Sequence, residues 1–298
     1  MGAHHSAQRR AHRLIRVKAA TGHRGRLNSC PVPLSDAVNL VRETEPHPDL
    51  HVLDVAPMRP LRWLGLAWRD MERCPTPGVL HGLLLAVLAA GWSWLHREDF
   101  WWIVAMVASC MMIAPLLAVS LYDISRRLER GEEPQLRHTV SIWLCGDRRL
   151  VHFGGLLALT TLGWFFCSAL LVEWMVPASV RTPADFVRLV VLQPQGLLFE
   201  GWMLMSGFMA APVFASSVVT IPLLLDHPRL TVMQAVSTSW RVVAANPVVM
   251  VCWALLLALF TTLGIGSAFL GLLAVVPMLG HASWHAYRDL VARSTAHP

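Results

Sequence analysis

The stretch WRVVAANPVVMVCWALLLALF, residues 240–260, decides the fold, because in it a polar helix passes through Asn246-Pro247 into an apolar run. The stretch WRDMERCPTPGVLHGLLLAVL, residues 68–88, is built in the same way. Both begin with Trp-Arg and reach a proline after five more residues, at a constant offset of 172 (240 against 68). This pattern predicts a repeated unit in which a surface helix, a proline break and a membrane hairpin follow one another.

The composition indicates a membrane protein. Of the 298 residues, 55% are hydrophobic and 15% are charged, whereas about 25% of a soluble chain is charged. The six cysteines show no zinc-type spacing, and those inside apolar runs are interpreted as small buried hydrophobic residues. We therefore expect an all-α, polytopic membrane protein.

Six apolar runs are long enough to cross a hydrocarbon core, which takes about 20 helical residues. The predicted spans are residues 78–95, 101–122, 153–176, 197–225, 248–264 and 266–286. They form three hairpins, each preceded by a cytoplasmic amphipathic helix. The membrane domain of residues 57–292 thus divides into units of about 57–125, 126–227 and 228–292.

Apolar residues spaced three or four apart predict the three amphipathic helices, which are expected to lie along lipid headgroups. In residues 59–74 the stripe is Leu61, Leu64, Trp68 and Met71, with Arg62, Arg69, Asp70 and Arg73 on the other faces. Within residues 123–150 it is Leu136, Val140, Trp143 and Leu144. In residues 231–246 it is Val232, Met233, Val236, Trp240 and Val243.

The distribution of positive charge predicts the orientation. Of the 25 Lys and Arg residues, 22 lie on the side that holds both termini and the amphipathic helices. The opposite loops hold Arg97, Arg181 and Arg188. Because cytoplasmic loops carry the excess of positive charge, both termini are predicted to be cytoplasmic.

Residues 1–56 are basic and lack helical or strand periodicity. They are interpreted as a disordered cytoplasmic arm. The alternatives are an organellar transit peptide or a basic arm that touches anionic lipid or nucleic acid. Residues 293–298 form a short tail, and no nucleic-acid partner is expected.

Four stretches resemble a known family. They are LRWLGLAWRDMERCP (61–75), APLLAVSLYDISRRLERGEEP (114–134), TIPLLLDHP (220–228) and PMLGHASWHAYRDLV (277–291). Together they are similar to the bacterial integral membrane proteins grouped as the domain of unknown function 2189 family, over about residues 58–292. The resemblance implies a polytopic inner-membrane protein and supplies no established activity, substrate or catalytic residue.

Proline recurs in the second span of every predicted hairpin, at Pro115, at Pro212 with Pro222, and at Pro277. Each proline removes a backbone hydrogen bond and frees a carbonyl one turn earlier. Such carbonyls need a partner other than lipid. The four prolines are therefore predicted to kink helices that line a pore or substrate path.

A second set of candidates is polar. His281 and His285 are four residues apart on one helix face, a spacing that suits two imidazoles on one metal, with His81 as a candidate third ligand. The favoured interpretation is structural hydrogen bonding, without a metal or other cofactor.

Asp123 and Asp226 end spans two and four, and Asp289 follows span six. They are interpreted as pairing with neighbouring arginines, and a ring of carboxylates at a cytoplasmic mouth is the alternative. Tyr287 is a further candidate polar residue.

Three hypotheses for function remain. The first is a small transporter or channel-like protein, with its path along the kinked spans. The second is a non-catalytic membrane scaffold or lipid-interacting protein that binds anionic phospholipid headgroups, with a membrane-protein partner or a second copy of the chain. A metal or haem enzyme is the least favoured.

Overall fold

The computed structural model describes residues 50–134, 147–176, 178–192 and 197–293, with side chains omitted at 111–116 and 293. These residues all belong to one compact unit, His47–Pro298. Two strands are described, β1 (Leu50–Val52) and β2 (Val291–Arg293). The helices are α1 (Arg59–Arg73), α2 (Pro75–Leu95), α3 (Phe100–Glu129), α4 (Arg148–Met175), α5 (Pro183–Phe186, continued by a π-helical turn, Val187–Val191), α6 (Leu198–Ser217), α7 (Thr220–Asp226), α8 (Val232–Ala245), α9 (Pro247–Gly266) and α10 (Leu272–Leu290).

Several helices have membrane-spanning character. Four helical stretches are long and apolar enough to cross a bilayer, namely α2, α4, α9 and the combined α6–α7, Leu198–Asp226. The first part of α3, Phe100–Cys110, adds a shorter apolar helix. Their outward surfaces carry exposed leucines, valines and aromatic residues, as expected for lipid-facing helices. The chain is therefore an all-α polytopic membrane protein.

The two ends of the described chain meet at one face of the bundle, which we call the near face. Strand β1 lies inside the segment predicted to be disordered and pairs antiparallel with β2, so that His51 lies opposite Ala292. The side chain of Asn246 joins this pair to the α8–α9 junction. It accepts a hydrogen bond from the Val55 amide and donates one to the Leu53 carbonyl, both at 3.0 Å.

Helix α1 packs against α10 through Trp63 and Ala67, which are fully buried. Two residues of its predicted stripe, Leu61 and Trp68, are exposed instead. Asp70, which the sequence placed on a polar face with arginines, is buried on the protein side. Because α1 has large apolar residues on both its exposed and its buried face, the stripe alone does not identify the packed face.

Helix α8 has the same arrangement. Ala235 and Ser239 are buried, whereas Met233 and Trp240 are exposed. Both α1 and α8 end two residues before a proline that begins the next helix, at Pro75 and Pro247. The second predicted amphipathic helix, with Leu136, Val140, Trp143 and Leu144, lies outside the described residues.

The hairpin α9–α10 turns back beside the middle of α2. A Cβ atom at Gly82 would lie 2.6 Å from the carbonyl oxygen of Leu272, so α10 begins at the level of Gly82. From there α2 continues over residues 83–95, about 20 Å at 1.5 Å per residue. The α2–α3 turn, residues 96–99, thus extends well beyond the α9–α10 turn, and we call its side of the bundle the far face.

A second contact gives the same relative depth. A Cβ atom at Gly280 would meet the Leu121 side chain at 2.5–3.3 Å, so these residues lie side by side. Helix α10 begins eight residues before this contact and α3 begins 21 residues before it. The far-face part of the bundle therefore includes the far ends of α2 and α3, and Phe100 of α3 packs there in one cluster with Val172 of α4, Phe186 of α5 and Leu198 of α6.

Candidate functional site

A cavity of about 270 Å³ lies between α2, α3, α6, α9 and α10. Its wall is mostly apolar, with Leu85 and Ala89 from α2 and Met106 from α3. Ile265 and Phe269, at the turn of the α9–α10 hairpin, also line it. The polar side chains in the wall are few, and Tyr122, Ser217, Thr261 and Ser283 supply the hydroxyl groups. Such a wall suits an apolar or weakly polar molecule.

Of the four prolines predicted to line a path, the three with described side chains, Pro212, Pro222 and Pro277, are not part of the cavity wall. Pro277 packs against Gly78, where an added Cβ atom would lie 2.7 Å from the proline Cβ, and its neighbour Val276 lines the cavity. Pro212 lies inside α6 and is exposed. Pro222 is buried in α7, after the helix break that separates α6 from α7. The side chain of Pro115 lies outside the described residues, within the continuous helix α3.

Four buried polar residues meet on the near-face side of the cavity, and we call them the polar cluster: Asp70, Ser125, His281 and His285. Oδ2 of Asp70 accepts hydrogen bonds from Ser125 Oγ at 2.7 Å and from His285 Nε2 at 2.8 Å. Ser125 Oγ lies 2.8 Å from Nδ1 of His281. Helices α1, α3 and α10 thus supply one connected set of hydrogen bonds.

Opposing effects set the charge state of Asp70. Burial raises the pKa of this carboxyl, but the hydrogen bonds from His285 and Ser125 and the nearby imidazoles outweigh the burial and hold the pKa below its usual range. Asp70 is therefore ionised at neutral pH and acts as the hydrogen-bond acceptor at the centre of the polar cluster.

His81 has separate partners. Its Nδ1 lies 2.6 Å from the Pro77 carbonyl oxygen, and its Nε2 lies 2.7 Å from Ser120 Oγ. Because a carbonyl only accepts, Nδ1 carries a hydrogen. One turn further along α2, Leu85 lines the cavity, so His81 stands between the cavity and the near face.

His281 and His285, the candidate metal ligands, form hydrogen bonds with side chains of other helices. His281 bonds Ser125, His285 bonds Asp70, and His81 bonds Ser120. Among the residues that the structure describes, no group of three His, Cys, Asp or Glu side chains is arranged to bind a metal ion. The arrangement is suited to hydrogen bonding and proton exchange.

Asp123 and Asp226, the candidates for a polar mouth, have different partners in the structure. Asp123 pairs with Arg126 and Arg127 of its own helix, the latter with 2.7 Å between Nε and Oδ2. Asp226 accepts a hydrogen bond from the Tyr287 hydroxyl at 2.9 Å. The bond between Tyr287 and Asp226 joins α10 to α7 at the near face.

The sequence reasoning missed several residues of this region. Gly78 and Gly82 have the spacing of small residues that allows close approach of membrane helices, and both contact α10. Trp63, Ala67 and Asp70 follow one another at spacings of four and three residues, which indicates that they share a helix face. Ser120 and Ser125 carry no comparable signal, because serine is common in membrane helices.

The fold and the buried polar cluster define the class, an α-helical integral membrane protein. Residues 103–226 match the family model described as "Predicted integral membrane protein (DUF2189)". This match confirms the resemblance over that region, which contains the stretch at 114–134 and residues 220–226 of the stretch at 220–228, whereas those at 61–75 and 277–291 lie outside it. Comparisons with curated proteins and with solved structures found no match.

Proposed function

We propose that the protein is a small transporter-like membrane protein whose cavity takes an apolar or weakly polar molecule. The observation that carries this proposal is the cavity of about 270 Å³ between five helices, bounded on one side by the turn of a short hairpin. Binding sites of transporters commonly lie near the middle of the membrane, where helices are interrupted or repeats meet. The apolar wall excludes ions and strongly polar solutes as ligands.

The proposed topology differs from six complete crossings in the last hairpin. Helices α2, α3, α4 and α6–α7 cross the membrane, whereas α9–α10 enters from the near face and returns to it. If Gly82 lay at the far surface, the apolar residues 83–95 would stand in water. Non-helical backbone within the membrane is tolerated where it packs on protein or borders a cavity, and Phe269 of this turn borders the cavity.

We further propose that the near face is cytoplasmic and that the membrane is a bacterial inner membrane. The positive charge supports this orientation. The pairing of β1 with β2 supports an even number of crossings, because it places both ends of the described chain together. With four crossings and a returning hairpin, as with six crossings, both termini are cytoplasmic.

An internal repeat is part of the proposal. Shifting α1 (Arg59–Arg73) by 172 residues gives 231–245, and α8 covers Val232–Ala245. The same shift moves Pro75 onto Pro247, and each proline begins a helix. The agreement of the bounds to within one residue supports two copies of a helix–proline–helix unit.

Labelling of single cysteines in a cysteine-free background tests the topology. A membrane-impermeant maleimide is expected to modify positions 97 and 188 from outside the cell and positions 69 and 241 only after permeabilisation. Position 270, in the α9–α10 turn, is expected to stay unmodified from outside. Labelling of position 270 from outside would favour six complete crossings, and labelling of position 69 would reverse the orientation.

A second candidate function rests on the exposed faces of α1 and α8. Leu61, Trp68, Met233 and Trp240 are exposed, and Arg62, Arg69 and Arg241 are exposed beside them. Apolar residues flanked by arginine are typical of helices that lie on anionic lipid. These faces favour a lipid-interacting scaffold that binds phospholipid headgroups, a membrane-protein partner or a second copy.

Filling the cavity distinguishes the two functions. Neighbouring threonines of α9 provide a matched pair, because Thr261 lines the cavity and Thr262 is exposed. The probe is 3-trifluoromethyl-3-phenyldiazirine, photolysed with the purified protein in lipid nanodiscs and mapped by mass spectrometry. Thr261→Trp is expected to lower the saturable labelling at Trp253 by at least about tenfold, equivalent to about 1.4 kcal/mol of binding.

The matched variant Thr262→Trp is expected to keep the labelling of wild type at Trp253, a cavity residue that is 1% exposed. Labelling that does not saturate in wild type, or that is equal in the two variants, would contradict a ligand-binding cavity. That result would favour the scaffold.

A further inference from the structure

The hydrogen bonds of the polar cluster form a chain that leads from the near face into the bundle. Glu129 is partly exposed, and its Oε1 lies 3.7 Å from Nδ1 of His285, beyond hydrogen-bond distance, so the hydrogen-bonded chain itself begins at His285. From His285 Nε2 the chain continues through Asp70 Oδ2 and Ser125 Oγ to Nδ1 of His281, with each step between 2.7 and 2.8 Å. Ser125 and His281 are both 0% exposed. A buried imidazole is thus linked to the surface by groups that both accept and release protons.

We propose that Glu129, His285, Asp70 and Ser125 carry protons between the cytoplasmic surface and a proton-binding site at His281. The proposal is independent of the cavity ligand, because it concerns contacts that exist without one. Each member of the chain has the required chemistry, since imidazole, carboxylate and hydroxyl groups all exchange protons along hydrogen bonds.

The transfer balances as follows. His285 accepts a proton on Nδ1 beside Glu129 and gives the proton on Nε2 to Oδ2 of Asp70. Protonated Asp70 then donates to Oγ of Ser125, whose hydroxyl hydrogen turns to the bare Nδ1 of neutral His281. The Asp70 proton passes to Oγ as the hydroxyl hydrogen passes to Nδ1. One proton enters and one is gained by His281, so Asp70 and Ser125 end unchanged. In the product, the imidazolium donates to Ser125 and Ser125 donates to ionised Asp70, while His285 carries its hydrogen on Nδ1 until it returns to the Nε2–H tautomer that donates to Asp70.

Several charged groups surround the two histidines. His281 faces Asp70 from α1, His81 from α2 and His285 from its own helix. His285 faces Asp70 from α1 and Glu129 from α3, and Glu129 also pairs with Arg288 at 3.2 Å. A positive charge on His281 therefore lies near the His81 imidazole, which joins α2 to α3 one turn from the cavity wall.

The test measures proton exchange at His281 in the full-length protein. The protein is labelled with ¹⁵N-histidine and reconstituted in nanodiscs, and the His281→Gln spectrum identifies the imidazole signal. Ser125→Ala breaks the chain and is expected to slow exchange at His281 by about a hundredfold, the lower end of what a positioned proton-transfer group contributes. Ser125→Thr, which keeps the hydroxyl group, is expected to restore the exchange rate.

The control is Ser120→Ala, which removes the partner of His81 but leaves the chain intact, and exchange at His281 should stay at the wild-type rate. Asp70→Asn provides a second break in the chain if Ser125→Ala does not fold. Equal exchange in wild type and in the folded broken-chain variant would overturn the proposal. So would wild-type exchange no faster than that of the backbone amides of α10, since protons would then reach His281 only through local unfolding.

Discussion

Replacing Gly82 by leucine is expected to detach the α9–α10 hairpin from α2 and to cause the largest loss of stability of any single substitution in this interface. A Cβ atom at Gly82 would lie 2.6 Å from both the carbonyl oxygen of Leu272 and the Cα atom of Leu273. Backbone atoms cannot turn away as a flexible side chain does. Overpacking of a core costs about 1–3 kcal/mol, and occasionally more, so we expect the upper end of this range.

Helix α2 also supplies the matched control. A Cβ atom at Gly91 would meet nothing within 4 Å, so Gly91→Leu is expected to leave the apparent melting temperature in detergent near that of wild type. The measurement is tryptophan fluorescence during heating, with helix content followed by circular dichroism. Equal melting of the Gly82 and Gly91 variants would contradict the close approach of α10 to α2.

Local hydropathy makes the helices of this protein predictable. The predicted amphipathic helices at 59–74 and 231–246 correspond to Arg59–Arg73 and Val232–Ala245 in the structure. In both cases a proline in the first turn of the following helix fixes the boundary, because proline lacks the amide hydrogen that a continuing helix requires. These features depend on neighbours in sequence, and the sequence contains them in full.

The depth of the last hairpin and the direction of Asp70 depend on distant contacts. Hydropathy shows that residues 248–264 and 266–286 are apolar, but it does not show where their turn lies relative to Gly82. The partners of Asp70 are 55 and 215 residues away. Such contacts follow from helix packing, which a hydropathy pattern does not specify.

The acid sensitivity of the polar cluster follows from the lowered pKa of Asp70. A carboxyl that binds its proton less tightly in the folded state stabilises the fold fully above its ordinary pKa of 3.8. That contribution is lost as the pH falls through the lower pKa of the folded state. Wild type is therefore expected to lose stability below about pH 4, where protonation of Asp70 weakens the bonds from Ser125 and His285.

Asp70→Ala removes this contribution at every pH. A buried hydrogen-bond donor left without its acceptor costs about 1–3 kcal/mol. Because Ser125 and His285 would both lose their acceptor, we expect a loss of roughly 3 kcal/mol or more of unfolding free energy in detergent at neutral pH. On the same helix, Glu72 is exposed and bonds only Trp68 among the described contacts, so Glu72→Gln should change stability by less than about 0.5 kcal/mol. Wild type loses stability in acid partly because Asp70 becomes protonated. The Asp70→Ala variant has no such carboxyl, so its stability should fall less as the pH is lowered. The fall in unfolding free energy of Asp70→Ala measures the bonds of Asp70 to His285 and Ser125. If both variants melted like wild type at neutral pH, Asp70 would not hold α1 to α10.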